Sequence, residues 1–177
     1  MIVRDKFIIR AVGFKDLDTL YWMNNESGRG AYQEYAFESR DVISENLRSG
    51  KLFNDGFQML IAETPDKEYL GAVYLNFPRT GLVRYGLVLD SDTRGQGYGR
   101  LITEAVIEYI FSNFPVVRLE AETDKENAPA RKVLEESGFQ EEGVLRNYRF
   151  HHGSYRDFVI YSKVRQNHKN QKIKKGA

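Results

Sequence analysis

Apolar and polar positions along the first third of the chain predict a strand followed by two helices. Residues 6–12 are rich in aliphatic, β-branched and aromatic side chains, which favours a strand. Asp16 is expected to cap a helix whose apolar residues recur at i, i+3 and i+4. Ser39 is expected to cap a second helix, and Gly50 supplies the left-handed residue that ends it.

The middle of the chain reads as an antiparallel meander. Strand-like runs cover residues 57–63, 69–77 and 82–89, and turns rich in Pro and Gly separate them. Two strands joined by so short a turn can only lie antiparallel, because a parallel pair needs a long crossover. The segment 78–81 is expected to be one of these turns.

The second half changes to a strand–loop–helix pattern. A polar loop spans residues 90–99, and helical spacing follows from Leu101 to Ile110. Asn127 is expected to cap a further helix, with a proline in its first turn. The remaining strands are predicted at residues 116–123, 144–152 and 155–163. The fold class is therefore mixed α/β (α+β), with a twisted, mostly antiparallel sheet.

Length and composition narrow the class of protein. A chain of 177 residues can form one domain with a sizeable core. Cysteine is absent, which excludes disulfides, thiolate nucleophiles and cysteine-based metal sites. The adjacent pair His151-His152 is read as flanking a turn, so no metal is expected. No apolar run is long enough for a membrane span and no signal peptide is recognisable, so no membrane partner and a cytoplasmic location are expected.

Charge divides the chain into two parts. The net charge is +1, but residues 165–177 hold five basic residues and no acid, so residues 1–164 carry −4. We therefore predict one domain at 1–164 and a basic, disordered tail at 165–177. The acidic body makes nucleic acid an unexpected partner, apart from a contact through the tail.

The strongest chemical signal is the loop that precedes the central helix. Glycines at 95, 97 and 99 let backbone N–H groups face outward, and the helix start adds free N–H groups and partial positive charge. Such a loop is a cradle for phosphate oxygens, to which Arg94 can add a charge-assisted contact. The P-loop ending Gly-Lys-Ser/Thr is missing, and the glycine spacing differs from that of dinucleotide-binding loops.

Two motifs resemble the GCN5-related N-acetyltransferase family, abbreviated GNAT. Arg94-Gly95-Gln96-Gly97-Tyr98-Gly99 matches the family's Arg/Gln-x-x-Gly-x-Gly/Ala signature, and residues 127–139 resemble its Asn-led helix ending in Gly-Phe. The resemblance covers residues 6–163 and is most like the branch of RimJ/RimL-type ribosomal-protein acetyltransferases. It implies the acyl-CoA N-acyltransferase-like fold, with helices on both faces and a parallel strand pair, 82–89 and 116–123, that splays apart.

The same resemblance implies acetyl-CoA as the acetyl donor and a primary amine as the acceptor, which attacks directly. Asn127 would contact the pantetheine arm or act only as the helix cap. The pantetheine arm would lie along Leu87, Val88 and Leu89, and Leu89 N–H would polarise the thioester carbonyl. The pyrophosphate would lie on the backbone of Gly95, Gln96, Gly97, Tyr98 and Gly99, with Arg94 and Arg100 beside it.

Acid and base are less clear from the sequence. The tyrosine that many members carry in the Asn-led helix is replaced by Leu134, which leaves Tyr148, Tyr155 or solvent as the acid. Glu122 is preferred over Glu120 as the base; the two share a strand face, where close carboxylates can raise one pKa. Further candidates for the base are Asp90 and Glu34.

The resemblance also implies that the acceptor region lies after the first strand. Trp22, Tyr32 and Glu34 combine aromatic rings with a carboxylate, which suits a cationic amine such as a protein N-terminus or a small molecule. Two alternatives to an enzyme remain: an acetyl-CoA-binding sensor without turnover, and a nucleic-acid-associated protein that uses the tail. Monomer and homodimer are both compatible with the sequence.

Overall fold

The computed structural model describes residues 1–25, 32 and 37–166. Eight strands and four α-helices are defined within these ranges. The strands are β1 (Ile2–Val3), β2 (Ile8–Ala11), β3 (Phe57–Glu63), β4 (Tyr69–Arg79), β5 (Leu82–Leu89), β6 (Arg118–Asp124), β7 (Gln140–His151) and β8 (Ser154–Val164). The helices are α1 (Leu17–Asn25), α2 (Arg40–Arg48), α3 (Tyr98–Asn113) and α4 (Ala128–Glu136).

All eight strands form one sheet in the order β1-β2-β3-β4-β5-β6-β8-β7. Each neighbouring pair is antiparallel except β5 and β6, which run parallel. The two parallel strands are joined through α3, as a parallel pair requires a long crossover. The predicted mixed and mostly antiparallel sheet is therefore confirmed.

Helices cover both faces of the sheet, because the strands present apolar side chains to both sides. Val73, Val83 and Leu119 pack in one core with residues of α3 and α4. Met59 and Ile61 face the opposite side and pack with Leu20 of α1 and Ile43 of α2. Alternation along each strand thus separates an α3/α4 face from an α1/α2 face.

Most element predictions are confirmed, and the clearest differences lie in the strands. A two-residue strand, β1, precedes the predicted first strand. Strand β4 continues through Pro78 into the predicted turn, and a register shift there removes the need for a ladder N–H. Strand β6 begins and ends slightly later than predicted, and β7 begins at Gln140 rather than at 144.

Asp16 does not cap α1 as predicted. Its carboxylate lies inside a 3₁₀ turn at Phe14–Asp16, where it accepts the Gly13 N–H at 2.8 Å. It also accepts two hydrogen bonds from the Arg10 guanidinium, at 2.7 and 2.8 Å. Arg10 in turn donates to Glu63 at 2.6 Å, so one guanidinium joins two carboxylates that are almost fully buried.

This buried charge cluster makes the fold sensitive to acid. The hydrogen bond from Arg10 lowers the pKa of Glu63 below its ordinary value of 4.5, against the effect of burial. A lowered folded-state pKa contributes stability that is complete above pH 4.5 and is lost as pH falls through the folded-state pKa. We expect Glu63→Gln to lower the free energy of unfolding at pH 7 by about 3 kcal/mol, the usual effect of breaking a buried ion pair.

Urea unfolding at pH 7 and at pH 4 measures both effects. The variant should lose less stability than the wild type between these two pH values. Glu45→Gln is the matched control, because Glu45 pairs with Arg48 on the exposed surface of α2 and should change stability by less than about 1 kcal/mol. Equal losses in the two variants would contradict the assignment of Glu63.

The start of the predicted tail is bound to the domain. Arg165 donates from its side chain to Val116 O at 2.7 Å and Phe114 O at 2.8 Å. The guanidinium also lies 5.0 Å from the ring centroid of Phe111. Residues 167–177 lie outside the described residues, so the disordered tail stays a prediction. No helix in the described ranges is both long and apolar enough to span a membrane.

Candidate active site

A gap in the sheet is the main functional feature of the fold. The parallel strands β5 and β6 pair over only three rungs, from Leu82 opposite Arg118 to Arg84 opposite Glu120. Beyond Arg84, β5 continues to Leu89 and β6 to Asp124 without pairing to each other. The backbone edges of both strands are therefore open to a ligand along this stretch.

A cleft of about 1820 Å³ passes through this gap. Its lining includes residues of α3 and α4 on one face of the sheet and the carboxylates of Glu120 and Glu122 on the other. Along β6 these two side chains alternate with Leu119 and Ala121, which pack in the core with α3 and α4, so the carboxylates lie on the other face of the sheet. The cleft is large for a single small ligand and can hold an elongated one that reaches both faces.

The glycine loop forms the predicted cradle at the α3/α4 end of the cleft. Gly95 and Gly97 have φ values of 75° and 84°, in the left-handed region that favours glycine. Gly97 also precedes the first turn of α3, which has no side-chain cap. Among the described residues, the backbone N–H groups from Gly95 to Arg100 find no acceptor in the protein. They are available to an anion.

The side chains around the cradle are held by the protein itself. Arg94 donates to Leu89 O from Nε at 3.2 Å and from Nη2 at 3.0 Å, which ties the loop to the end of β5. Gln96 donates to Asp92 O at 2.7 Å, and Arg100 pairs with Glu104 at 2.8 Å. The cradle is therefore built mainly from backbone groups, and the side chains of these residues set the shape of the loop.

Two further residues join the cradle to α4. An added Cβ at Gly99 would lie 3.2 Å from Val133, so the glycine allows α3 and α4 to pack closely. Asn127 is the N-cap of α4, where its Oδ1 accepts the Ala130 N–H at 3.2 Å. The cap role predicted for Asn127 is confirmed, and the residue also lines the cleft.

These features fit a ligand that carries a pyrophosphate at one end and an extended arm. The cradle offers unshielded N–H groups, and a Cβ built on Gly95 or Gly97 would meet no atom within 4 Å. The adjoining gap offers the strand edge of Leu87, Val88 and Leu89, all of which line the cleft. Coenzyme A has this form.

Comparison with known proteins decides the family. Residues 6–140 match the model of the acetyltransferase (GNAT) domain. The chain belongs to the GNAT acetyltransferase family. It is an acetyl-CoA-dependent N-acetyltransferase, and acetyl-CoA is its acetyl donor.

Similar proteins extend over nearly the whole chain. An uncharacterized N-acetyltransferase of Bacillus licheniformis is 26% identical over 172 residues, which is 92% of this chain and 94% of that protein. Spermidine N(1)-acetyltransferase of Vibrio cholerae is 24% identical, over 91% and 96%. Its crystal structure with CoA and spermine superposes with a TM-score of 0.84, at 22% identity over 91% and 96% of the chains.

A structure from another branch of the family fits almost equally well. Ribosomal-protein-S5-alanine acetyltransferase of Vibrio fischeri superposes with a TM-score of 0.80, at 21% identity over 92% and 94% of the chains. At 21–22% sequence identity, the similarity to these two structures establishes the fold only. It does not separate the branches by acceptor.

Glu120 lies where the gap begins, between two arginines that contact its carboxylate. Its carboxylate accepts from Arg118 at 2.8 Å and lies 3.6 Å from the Arg84 guanidinium of β5. Arg118 also pairs with Glu142 of β7. This row of charges crosses the end of the paired segment, so Glu120 links the two parallel strands just before they separate.

Glu122, Tyr148 and Arg149 form a second group deeper in the gap. Glu122 is paired with the Arg149 guanidinium, and its carboxylate lies close enough to the Tyr148 hydroxyl to affect the pKa of that hydroxyl. Burial and the Glu122 carboxylate both raise the pKa of Tyr148, so its hydroxyl stays protonated at neutral pH. The two glutamates thus face different arginines rather than each other, and the structure brings Glu122 and Tyr148 together as one unit.

A bulge in β7 places Tyr148 over the cleft. The pairing of β7 with β8 shifts register between Leu145 and Arg149, and Asn147 has a φ of 49°. Asp157 holds the bulge by accepting the Asn147 N–H at 2.9 Å. Bulges commonly turn a side chain toward an active site in this way. The other candidate acid, Tyr155, is 64% exposed and does not line the cleft.

The predicted acceptor residues are placed unequally. Tyr32 lines the cleft and donates its hydroxyl to Glu126 O at 3.0 Å. Trp22 does not line the cleft; it is 57% exposed on α1 and packs edge-on against Tyr21. Glu34 lies outside the described residues. Asp90, a further candidate for the base, caps a 3₁₀ turn in the loop and does not line the cleft.

Sequence reasoning missed Glu38, which lines the cleft. The Asn25 side chain makes two hydrogen bonds to the Glu38 backbone. Its Nδ2 donates to Glu38 O at 2.9 Å, and its Oδ1 accepts from the Glu38 N–H at 3.2 Å. The Asn24 amide donates to the Glu38 carboxylate. In the sequence, the one feature that marks Glu38 is that it directly precedes Ser39, the predicted N-cap of α2. Phe57 and Tyr74 were also missed, because strand residues that face a cleft look like core residues in sequence.

Proposed function

We propose that this acetyltransferase acetylates a small amine that carries at least two positive charges, as a polyamine does. The observation that carries the proposal is the Glu38 carboxylate. Within the described residues no guanidinium or ammonium pairs with Glu38, whereas the other acceptor-side carboxylates each have an arginine. A second ammonium of the acceptor would supply the missing charge.

The walls beside Glu38 support the same class of acceptor. Phe57 and Tyr74 line this part of the cleft, and their rings lie 6.4 Å apart. Aromatic faces attract ammonium groups and also contact the methylene chain between them. The charge of −4 on residues 1–164 favours the approach of a polycation.

For the chemistry we propose Glu122 as base and Tyr148 as acid. Bound acetyl-CoA supplies a thioester whose carbonyl carbon forms a bond to the amine nitrogen while its bond to sulfur breaks. Glu122 takes one proton from the acceptor ammonium before attack and passes it to solvent. Tyr148 donates a proton to the departing sulfur and regains one from the amine nitrogen as the amide forms. Glu120 is less suited, because two arginines hold its carboxylate at the start of the gap.

A protein N-terminus is the second candidate acceptor and corresponds to the RimJ/RimL branch. The α4 motif favours it: Leu134 replaces the tyrosine found in many members and is buried in the core. A peptide N-terminus, however, brings one fixed positive charge, which leaves Glu38 without a cation.

Thiol release from acetyl-CoA, followed with a disulfide reagent, tests the acceptor class. The assay has no background from the protein, which contains no cysteine. Spermidine, a peptide with N-terminal alanine, an aminoglycoside and free amino acids form the panel. Highest kcat/KM with spermidine is expected. A preference for the peptide would favour the second candidate, and a rise in melting temperature with acetyl-CoA but no turnover would favour the sensor.

Replacing Glu38 gives a sharper test of the same proposal. Glu38→Gln keeps the shape and the amide contact from Asn24 but removes the charge, so we expect KM for spermidine to rise about tenfold, the loss of one charged contact of about 1.4 kcal/mol. KM for acetyl-CoA should stay within twofold. Glu45→Gln on the outer surface of α2 is the control. An unchanged KM for spermidine would show that Glu38 does not bind the acceptor.

A further inference from the structure

Two glycines in the central strands, Gly71 and Gly86, differ in whether the fold leaves room for a side chain. A Cβ on Gly71 of β4 would lie 2.4 Å from Val88 O, so the backbone contact itself excludes a side chain there. Gly86 of β5 has no such restriction. Its Cβ would meet only the Tyr74 side chain, at 3.7 and 3.8 Å, which is ordinary van der Waals contact, and its φ is not positive.

A strand-interior glycine that the fold does not require points to close approach by a ligand. Glycine weakens a strand, because it loses more backbone entropy than other residues and packs no side chain. Gly86 also lines the cleft. A side chain at residue 86 would therefore occupy part of the gap between β5 and β6.

The register of the parallel pair locates this space. Arg84 lies opposite Glu120 at the last rung, so Gly86 and Glu122 are each two residues further along their strands. Both belong to the sheet face that is turned away from α3 and α4, since Tyr85 and Ala121 pack in the core with those helices. Gly86 thus lies across the gap from the proposed base.

The cradle fixes the direction in which the donor enters. The glycine loop follows the end of β5, and the proposed path of the pantetheine arm runs back along Leu89, Val88 and Leu87. Gly86 is the next residue inward. The acyl end belongs at this level and not beside the Leu89 N–H that the family resemblance suggested, because the proposed base Glu122 lies across the gap from Gly86 and the amine that it prepares must reach the thioester carbonyl carbon.

We infer that Gly86 sets the size of the acyl group that this enzyme transfers, and that propionyl-CoA is a donor as well as acetyl-CoA. The bonds exchanged are the same for both donors: nitrogen to carbonyl carbon forms, carbonyl carbon to sulfur breaks, and the sulfur leaves as the thiol. The inference rests on the proposed position of the donor in the gap. It is independent of which amine is the acceptor.

Binding of CoA thioesters tests this inference without an acceptor. Dissociation constants for CoA, acetyl-CoA and propionyl-CoA are measured by calorimetry on the wild type, Gly86→Ala and Gly143→Ala. Gly143 is the matched control: it is a strand glycine of β7, it does not line the cleft, and a Cβ on it would meet no atom within 4 Å. Melting temperatures of the three proteins confirm that each is folded.

We expect the wild type and Gly143→Ala to bind acetyl-CoA and propionyl-CoA within tenfold of each other. In Gly86→Ala, propionyl-CoA should bind at least tenfold more weakly than acetyl-CoA, as one methyl group of excess volume in a closed site typically costs. Binding of CoA itself should be unchanged. With an active acceptor, kcat/KM for the two donors should follow the same ratio.

Three results would overturn the inference. Equal binding of both thioesters by Gly86→Ala would remove Gly86 from the acyl site. Loss of CoA binding along with the thioesters would place Gly86 on the path of the arm and not at the acyl group. If the wild type binds none of the three compounds, the assignment of the donor site itself fails, and the inference fails with it.

Discussion

Glu122→Gln is expected to lower kcat/KM for the amine about 100-fold at pH 7, the size of effect that general base catalysis commonly provides. The glutamine side-chain oxygen can still accept the hydrogen bond from Arg149, so the gap keeps its shape. What is lost is the group that takes the proton from the ammonium. An alkyl ammonium with a pKa near 10 is almost fully protonated at pH 7, so the variant depends on the small fraction of free amine in solution.

The pH dependence distinguishes this role from a structural one. Activity of the variant should rise with pH toward that of the wild type as free amine accumulates, while KM for acetyl-CoA stays within twofold. Glu141→Gln is the control, since Glu141 pairs with Arg131 outside the cleft. Parallel pH–rate profiles for Glu122→Gln and the wild type would reject Glu122 as the base.

Gly97→Ala is expected to raise KM for acetyl-CoA about 100-fold. A left-handed residue with a Cβ costs about 1–2 kcal/mol, which the loop can relieve by turning its N–H groups away from the phosphate site. Two charge-assisted hydrogen bonds to phosphate oxygens, each worth about 1.5 kcal/mol, would then be lost together. The maximal rate at saturating acetyl-CoA should fall far less, because the groups around Glu122 are untouched.

The control for this prediction is Gly153→Ala, which introduces the same backbone strain outside the cradle. Gly153 has a φ of 80° in the turn between β7 and β8, and a Cβ on it also meets nothing within 4 Å. Gly153→Ala should lower the melting temperature about as much as Gly97→Ala and leave KM for acetyl-CoA unchanged. Similar values of KM in both variants would mean that strain alone, and not the cradle, explains the effect.

Features with a local physical cause could be predicted from the sequence. The strands at residues 57–63 and 82–89 have the predicted bounds, because turn residues limit them on both sides. Ser39 and Asn127 cap helices as predicted, since an N-cap depends on a side chain and an N–H three residues later. The glycine cradle is local in the same sense: its backbone conformation is encoded in six consecutive residues.

Features that depend on distant residues were decided by the tertiary structure. The gap opens where Arg84 and Glu120 make the last rung, and neither strand marks that point in its own sequence. Asp16 was expected to cap a helix, but Arg10 and the buried position of Glu63 draw its carboxylate into an ion cluster.

The same division separates the donor site from the acceptor site. The sequence by itself determined the family and the donor, and it predicts the place where the donor's phosphates bind, because those contacts come from one loop and one helix start. Which carboxylates line the cleft, and so are available to the proposed acceptor, was decided by the tertiary structure. A bulge in β7 brings Tyr148 close to Glu122, and hydrogen bonds between the Asn25 side chain and the Glu38 backbone hold the segment of Glu38 at the cleft. Such contacts join residues far apart in the chain, so no spacing in the sequence records them.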